Sequence, residues 1–147
     1  MLEPFSREQL CSAGAGFVQR REVAFQDIDA AGIVFYPRFL VYMHDAYVSW
    51  LASVGCPLPE VLRDKAWIAP IASVQADFLK PLRFGDAIDV RLVLGARGRS
   101  SYRVGFRIDR GAEAVATGQT SHVVLIDGRP APLPEALALG LDGLRAL

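Results

Sequence analysis

The clearest pattern of apolar positions predicts a long helix in the first half of the chain. Pro37 suits the first turn of this helix, where its missing N–H group has no helical partner to lose. Gly55 followed by Pro57 ends it. Between these limits, apolar residues recur at spacings of three and four and align on one face: Phe39, Leu40, Met43, Ala46, Tyr47, Trp50, Leu51 and Val54. A helix with such a wide apolar face needs a large surface to cover it.

Most of the remaining chain alternates between apolar and polar positions, which is typical of strands. Strands are predicted over residues 17–25, 67–79, 87–95, 101–108 and 113–126. In the third of these, the residues on one face are Ile88, Val90, Leu92 and Leu94. Short turns join the later strands and make them antiparallel neighbours. The fold class is therefore predicted to be α+β, with an antiparallel sheet that buries the long helix on one face.

The two ends of the chain are predicted to differ. Residues 1–15 mix small and charged residues without a period, which indicates an irregular lead-in. Leu137, Leu141 and Leu144 have helical spacing, which predicts a helical tail within residues 132–147. The whole chain, 1–147, has the length of a single domain of typical size.

Composition narrows the class of protein without naming a function. The 147 residues are 52% apolar and include 16 basic and 16 acidic side chains, which indicates a globular protein with no bulk attraction to nucleic acid. The sequence shows neither a signal peptide nor a run approaching the roughly 18 apolar residues of a membrane span. Cys11 and Cys56 are isolated, so free thiols in a reducing compartment are expected. These features predict a soluble cytoplasmic protein with no membrane or nucleic-acid partner.

The segment before the long helix contains the most specific motif. Residues 25–37 are FQDIDAAGIVFYP, with two carboxylates, a glycine and a closing proline. Together with the helix and strands that follow, this segment resembles the hotdog-fold acyl-CoA thioesterases, and in particular the 4-hydroxybenzoyl-CoA thioesterase family. The resemblance covers residues 17–128, and its weaker parts are P-I-x-S at Pro70–Ser73 and F-x-x-P-L-x-x-G-D from Phe78 to Asp86. It implies a hotdog fold, in which an antiparallel sheet wraps around one long central helix.

The resemblance also implies which residues react. It makes Asp29 the catalytic carboxylate and assigns a role to the backbone N–H of Tyr36, at the start of the helix. A helix N-terminus offers free N–H groups and a positive dipole end, which stabilise the oxyanion of thioester hydrolysis. Asp29 can act as a nucleophile or as a general base; the sequence leaves both open, and the aroyl-CoA branch favours the nucleophile. Neither role needs a metal or a cofactor. The implied substrate-binding residues are Gly32, Ile33, Pro70 and Ser73.

Other polar residues have structural interpretations. Relatives associated with the Tol–Pal system have a histidine where this chain has Tyr36, so a possible general base is missing and the backbone of Tyr36 matters more. Asp27 is expected to satisfy backbone N–H groups rather than to react. His44, at the edge of the helix, and His122, in the last strand, have neither a matched nucleophile nor a zinc-binding spacing.

Arginine dominates the basic side chains, with fourteen arginines and two lysines. Residues 90–108 contain five of them and no carboxylate: Arg91, Arg97, Arg99, Arg103 and Arg107. Arginine suits phosphate recognition because its planar fork donates two hydrogen bonds at once. CoA has a 3′-phosphate and a pyrophosphate, and the resemblance assigns Arg97 and Arg99 to them. The alternative is a solvated polar strand face, since the other three arginines share one face.

The predicted function is hydrolysis of an acyl- or aroyl-CoA thioester to the free acid and CoA, with an aromatic or short-to-medium acyl group favoured. Two alternatives stay open: a hotdog enoyl-CoA hydratase or dehydratase, for which Tyr36 replaces the expected histidine, and a non-catalytic acyl-CoA binding protein. The resemblance implies a homodimer or homotetramer with each active site between two protomers. An unpaired sheet edge gives a physical reason for such association.

Overall fold

A five-stranded antiparallel sheet forms the centre of the computed structural model, which describes residues 2–14 and 16–145. Its strands are β1 (Phe17–Glu22), β2 (Ile71–Phe78), β3 (Ala87–Arg97), β4 (Ser101–Arg110) and β5 (Glu113–Val123), in the order β1-β3-β4-β5-β2. The helices are α1 (Arg7–Ser12), α2 (Pro37–Ser53), α3 (Leu58–Arg63) and α4 (Glu135–Arg145). A short ribbon pairs β6 (Leu125–Ile126) with β7 (Arg129–Pro130). The predicted α+β arrangement is confirmed.

The predicted long helix is α2, and it lies across one face of the sheet. Its buried side chains are Phe39, Tyr42, Met43, Ala46, Tyr47, Trp50 and Leu51. Burial of each large apolar side chain stabilises the fold by about 1.5–3 kcal/mol. The helix approaches β5 closely at Gly118, where a Cβ atom would lie only 2.7 Å from the sulfur of Met43. This packing fixes the start of α2 relative to the sheet.

The alternation predicted for residues 87–95 is wrong beyond Leu92. Between Leu92 and Leu94, β3 shifts its register against β4, as happens where a bulge places an extra residue in one strand. Val93 is therefore buried, whereas Leu94 is only half-buried. A period of two in the sequence does not reveal such a shift.

Three predicted strands are shorter than the apolar runs that suggested them. β1 ends at Glu22 and is followed by a 3₁₀ turn at Phe25–Asp27. β2 begins at Ile71, because Trp67 is buried outside the five-stranded sheet and its neighbour Ile68 makes only an isolated bridge to Leu125. The last run is divided at Val124 between β5 and the short ribbon.

The irregular lead-in predicted for residues 1–15 contains a helix, α1. A capping box begins it, because the Ser6 side chain accepts from the Gln9 backbone N–H and the Gln9 side chain accepts from the Ser6 N–H. The serine three residues before a glutamine is a known start signal that the sequence contained. The predicted C-terminal helix is confirmed as α4, and residues 1, 15, 146 and 147 lie outside the described residues.

The N-terminal segment, residues 2–14, packs on the outer face of the sheet, opposite α2, and is called the strap below. Arg107 Nη1 donates to the carbonyl oxygens of Leu10, Cys11 and Ala13, at 3.0, 3.2 and 2.7 Å. Arg103 Nη2 donates to the Leu2 carbonyl at 3.3 Å. Neither arginine is a solvated strand residue, because both bind this segment.

Replacing Arg107 with alanine is expected to release the strap. The substitution removes three charge-assisted hydrogen bonds to the strap and also the contacts of Nε with Asp109 at 3.0 and 3.1 Å. The free energy of unfolding should fall by about 1–3 kcal/mol. Urea unfolding and hydrogen exchange of residues 7–12 measure the effect. Arg7→Ala is the matched control, because its ion pair with Asp77 is exposed and screened by solvent, so its loss should change the free energy of unfolding far less. Unchanged protection of α1 in Arg107→Ala would contradict the assignment.

Candidate active site

The segment between β1 and α2 folds into a tight hairpin around Asp29. Ile28 forms an antiparallel bridge with Val34, and the Asp29 N–H donates to the Ile33 carbonyl at 3.0 Å. Gly32 closes the turn, with its N–H donating to the Asp29 carbonyl at 3.0 Å and a φ of +80° that favours glycine. Gly32 and Ile33, predicted to bind substrate, therefore shape the backbone that presents Asp29.

Asp29 is half-buried, and one of its carboxylate oxygens is held in place. Oδ1 accepts a hydrogen bond from the Ala31 N–H at 2.8 Å, which fixes the side chain over the turn. Among the described residues, the structure shows no hydrogen-bond or ion-pair partner for Oδ2. One oxygen thus positions the group, and the other is available to attack a carbonyl or to accept a proton.

The neighbouring carboxylate, Asp27, holds structure, but its partners in the described residues are side chains rather than the backbone N–H groups that the sequence predicts. It is buried, accepts a hydrogen bond from the Tyr42 hydroxyl at 2.6 Å, and lies 3.4 Å from Arg38 Nε. Burial, followed by this hydrogen bond, raises the pKa of Tyr42, which therefore keeps its proton. The Asp27 carbonyl accepts from the Phe35 N–H at 2.9 Å. Asp27 thus ties the hairpin to the first turns of α2.

The start of α2 leaves one backbone donor open. Pro37 has no N–H, the Arg38 N–H donates to the Phe35 carbonyl, and the Phe39 N–H donates to the Tyr36 carbonyl. Tyr36 precedes the first helical residue, and no side chain caps the helix. Within residues 2–14 and 16–145, the structure shows no acceptor for the Tyr36 N–H. This donor and the partial positive charge of a 17-residue helix together suit a developing oxyanion.

Aromatic side chains surround this helix start and are partly exposed. The ring of Phe78, at the end of β2, lies 6.0 Å from that of Tyr36 and 5.1 Å from that of Phe39. Phe35 contacts the other side of Tyr36, with 5.4 Å between ring centroids. Tyr36 is 61% exposed and Phe78 46%, although both are large aromatic residues. In the single chain, an apolar surface next to the candidate catalytic groups is therefore uncovered.

An apolar cavity of about 320 Å³ begins one helical turn further along α2, between the helix and strands β2 and β5. It is called the α2–β5 cavity below. Its lining includes Leu40, Met43, Val74, Phe106, Thr120 and His122. An adjoining cavity of about 250 Å³ shares His122 and is lined by Trp67 and Pro70. Neither Asp29 nor Tyr36 lines either cavity.

His122 is a packed histidine, as expected, but it also forms part of the cavity wall. Its Nδ1 lies 3.1 Å from the Ala69 carbonyl oxygen and its Nε2 lies 2.9 Å from Thr120 Oγ1. The imidazole stacks on Tyr102, with 4.5 Å between ring centroids. Burial lowers its pKa to about 4. Sequence reasoning missed Thr120 and His122 as cavity residues, because only the fold brings β5 to α2.

The other predicted substrate-binding residues are dispersed. The Ser73 hydroxyl is 2.6 Å from that of Ser121, so Ser73 pairs with the adjacent strand. Arg97 forms two hydrogen bonds of 2.9 Å with Asp142 of α4, which raise its pKa. Arg99 lies in the exposed turn between β3 and β4, and the structure shows no partner for its guanidinium among the described residues. Arg99 is therefore the more available of the two arginines predicted to bind phosphate.

The described residues contain neither a metal-binding cluster nor a membrane-spanning helix. No group of three or more His, Cys, Asp or Glu side chains in this part of the chain is arranged to hold a metal ion. No helix within it has the length and hydrophobicity to cross a membrane. Cys11 is exposed and Cys56 is buried, and both are free thiols, as predicted.

Comparison with known proteins identifies the family. The model of the thioesterase-like superfamily matches residues 23–141. The chain belongs to this superfamily. A 1,4-dihydroxy-2-naphthoyl-CoA hydrolase of Synechococcus elongatus is 34% identical to it over 126 residues, which cover 84% of this chain and 93% of that protein.

Solved structures agree with this family. A 1,4-dihydroxy-2-naphthoyl-CoA thioesterase from Synechocystis superimposes with a TM-score of 0.80 and 28% identity, covering 86% of this chain and 95% of that one. A thioesterase from Thermus thermophilus, crystallised with coenzyme A and Zn, has a TM-score of 0.71 and 32% identity, with coverages of 88% and 97%. The predicted hotdog fold and the enzyme class, an acyl-CoA thioesterase, are thereby confirmed. The matched region begins after the strap and β1.

Proposed function

We propose that the protein hydrolyses an acyl- or aroyl-CoA thioester, using Asp29 and the backbone N–H of Tyr36. The observation that supports this most directly is their arrangement in one hairpin. Asp29 has one carboxylate oxygen fixed and the other open, and Tyr36 ends the same segment with an N–H that has no acceptor among the described residues. A fixed carboxylate near an open helix N-terminus is what acyl transfer requires.

The two groups act at the two atoms of the thioester carbonyl: the N–H at the oxygen, and Asp29 at the carbon, either directly or through water. The Tyr36 N–H donates to the thioester oxygen and stabilises the negative charge that develops there. If Asp29 is the nucleophile, its oxygen bonds to the carbonyl carbon, the C–S bond breaks, and CoA leaves as a thiolate. Water then hydrolyses the mixed anhydride. If Asp29 is a general base, it accepts a proton from the water whose oxygen bonds to the same carbon, and the C–S bond then breaks with CoA leaving as a thiolate.

Hydrolysis of a panel of CoA esters, with free thiol as the signal, tests the proposal. The panel includes 1,4-dihydroxy-2-naphthoyl-CoA, the group named for the Synechococcus relative, together with benzoyl-CoA and short-to-medium aliphatic esters. We expect thiol release, with an aromatic ester among the preferred substrates. Hydration of an enoyl-CoA without thiol release would indicate a hydratase, and binding with neither reaction would indicate a non-catalytic protein; both outcomes contradict the proposal.

We assign Arg99 to the phosphates of CoA. Arg99 is exposed and lacks an intramolecular partner among the described residues, whereas Arg97 is already bound to Asp142. The Thermus thermophilus thioesterase, which was crystallised with coenzyme A, is consistent with nucleotide binding in this family. Arg97 would have to leave Asp142 to contact a phosphate, so its predicted role is the weaker of the two.

Reversing the charge at Arg99 is expected to weaken CoA binding selectively. Arg99→Glu should raise KM for a CoA ester by about tenfold or more, since a charge-assisted contact of about 1.5–3 kcal/mol is lost and repulsion is added. The KM for the N-acetylcysteamine ester of the same acid should stay nearly constant, because that ester has no nucleotide. Arg63→Glu, at another exposed arginine, is the control. Equal effects on both esters would rule out a nucleotide contact at Arg99.

We also propose that a second copy of the chain completes the site. β2 is an edge strand, and its apolar residues Ile71, Val74 and Phe78 are 48%, 49% and 46% exposed. Pairing of two β2 strands would continue the sheet and cover this surface. It would also enclose the aromatic side chains at the start of α2. A homodimer, or a tetramer built from two such dimers, therefore explains why the candidate catalytic groups lie at an open apolar surface in one protomer.

A further inference from the structure

The α2–β5 cavity presents an almost entirely apolar surface one helical turn from the candidate catalytic groups. Its volume of about 320 Å³ lies near the lower limit of small-molecule sites, which is about 300 Å³. Six of its lining residues are apolar: Leu40, Val41, Met43, Ile71, Val74 and Phe106. The others are Tyr47, Thr120, His122 and the exposed His44, yet almost none of the surface that faces the cavity is polar. Such a wall suits an apolar group and offers little to a polar one.

Three of the four polar side chains in this wall already form hydrogen bonds within the protein. A carbonyl oxygen can only accept, so His122 Nδ1 donates to Ala69. The Nε2 of the neutral, buried imidazole accepts from the Thr120 hydroxyl across 2.9 Å. The hydroxyls of Tyr47 and Tyr102 bond to each other. A hydroxyl brought into the cavity would have to compete with these bonds.

The position of the cavity relates it to the start of α2. Leu40, which lines the cavity, follows Tyr36 by four residues, so the two lie on the same side of the helix and one turn apart. On the other wall, Val74 and Phe78 point to the same face of β2, and the Phe78 ring lies 6.0 Å from that of Tyr36. Apolar side chains of α2 and β2 thus lead from the helix start to the cavity.

We propose that the α2–β5 cavity receives the acyl group and selects against acyl groups that carry a polar substituent. This inference rests on the proposed thioesterase function and adds the class of acyl group. A hydroxyl that enters the cavity loses its hydrogen bonds to water, and an apolar wall does not replace them. The preferred class is therefore a small, unsubstituted aromatic or aliphatic acyl group. It differs from the dihydroxynaphthoyl group that the name of the Synechococcus relative gives.

Matched pairs of esters test this selection in the wild-type protein. Hexanoyl-CoA is compared with 6-hydroxyhexanoyl-CoA, and phenylacetyl-CoA with 4-hydroxyphenylacetyl-CoA, each by thiol release. The hydroxyl lies far from the thioester in both pairs, so the two members have nearly the same intrinsic reactivity. The quantity measured is the kcat/KM of the parent ester divided by that of the hydroxylated ester. We expect this ratio to be about tenfold or more in at least one pair, and smaller ratios in both pairs overturn the inference.

Two substitutions test whether this cavity causes the selection. Val74→Thr and Ile71→Thr each place a hydroxyl on the β2 wall of the cavity. In at least one of them the ratio should fall by about threefold or more, because the hydroxyl of the ester gains a partner. Val18→Thr is the matched control, since β1 is the opposite edge of the sheet, and it should keep the wild-type ratio.

The outcomes separate this inference from the proposed function. A wild-type ratio in both Val74→Thr and Ile71→Thr would place the selection outside the cavity and overturn the inference. Thiol release with small ratios for both pairs of esters also overturns it but leaves the proposed function standing. No thiol release from any ester overturns both.

Discussion

Replacing Asp29 with asparagine is expected to lower kcat by about three orders of magnitude or more, as loss of an attacking or proton-accepting group does in other acyl-transfer enzymes. The fold should be unaffected, because the asparagine oxygen can still accept from the Ala31 N–H. Binding of the CoA ester should also remain. Steady-state kinetics with thermal unfolding as a check on the fold measure the effect, and near-wild-type turnover would refute the assignment of Asp29.

The same position distinguishes the two chemical roles. In a single turnover in H₂¹⁸O, attack by Asp29 followed by hydrolysis of the anhydride at the aspartyl carbon leaves ¹⁸O on its carboxylate, whereas general-base catalysis puts the label only in the product acid. Mass spectrometry of the peptide that contains residue 29 and of the product acid, both taken after that one turnover, measures where the label lies. Asp27→Asn is the variant to compare with Asp29→Asn in turnover and stability, because the Asp27 carboxylate bonds to Tyr42 and Arg38. Its substitution should reduce stability more than it reduces the chemical step.

Replacing Tyr36 with proline is expected to produce the second largest loss. Proline has no N–H, and its ring requires a φ near that of Tyr36, which is −51°. The hydrogen bonds donated by Arg38 and Phe39 can remain. Removing one donor to an oxyanion lowers kcat by about 10²–10³-fold. The effect should fall on kcat more than on KM, since the contact strengthens as charge develops.

Tyr36→Phe is the control for this substitution. It keeps the backbone N–H and the aromatic ring beside Phe78, and removes only the phenol hydroxyl. Its turnover should remain close to wild type. Loss of activity in Tyr36→Phe would mean that the hydroxyl takes part in catalysis, and full activity of a folded Tyr36→Pro would exclude the backbone N–H.

The parts of the molecule that could be predicted from the sequence are those whose contacts join residues close to each other along the chain. The helix α2 follows from its apolar spacing, and the hairpin that presents Asp29 lies within a short segment whose motif is specific. Its contacts join residues a few positions apart, such as Asp29 with Ala31 and Ile33. For this reason the candidate catalytic groups were found without a structure, although their roles stay predictions, as do the single domain and the cytoplasmic location.

The features that could not be predicted depend on contacts between distant residues. The bond between Arg97 and Asp142 joins β3 to the C-terminal helix, and no local pattern indicates it. The three carbonyls that hold Arg107 belong to the strap. The sequence of the strap has no apolar period, and its one local pattern is the capping box of Ser6 and Gln9. The bulge in β3 arises from its pairing with β4. Each of these contacts depends on the tertiary fold. The apolar periods of strands (two residues) and helices (3.6 residues) do not specify it.

The hairpin and the first turns of α2 form one continuous stretch of chain, whereas Thr120 and His122 come from β5, far along the sequence. The candidate catalytic groups and this wall of the α2–β5 cavity are therefore encoded in separate parts of the gene. Under the proposed function, mutations in β5 would reshape the cavity without disturbing the hairpin that presents Asp29. A lineage with this architecture would then vary one strand while the segment proposed to carry the chemistry stays the same.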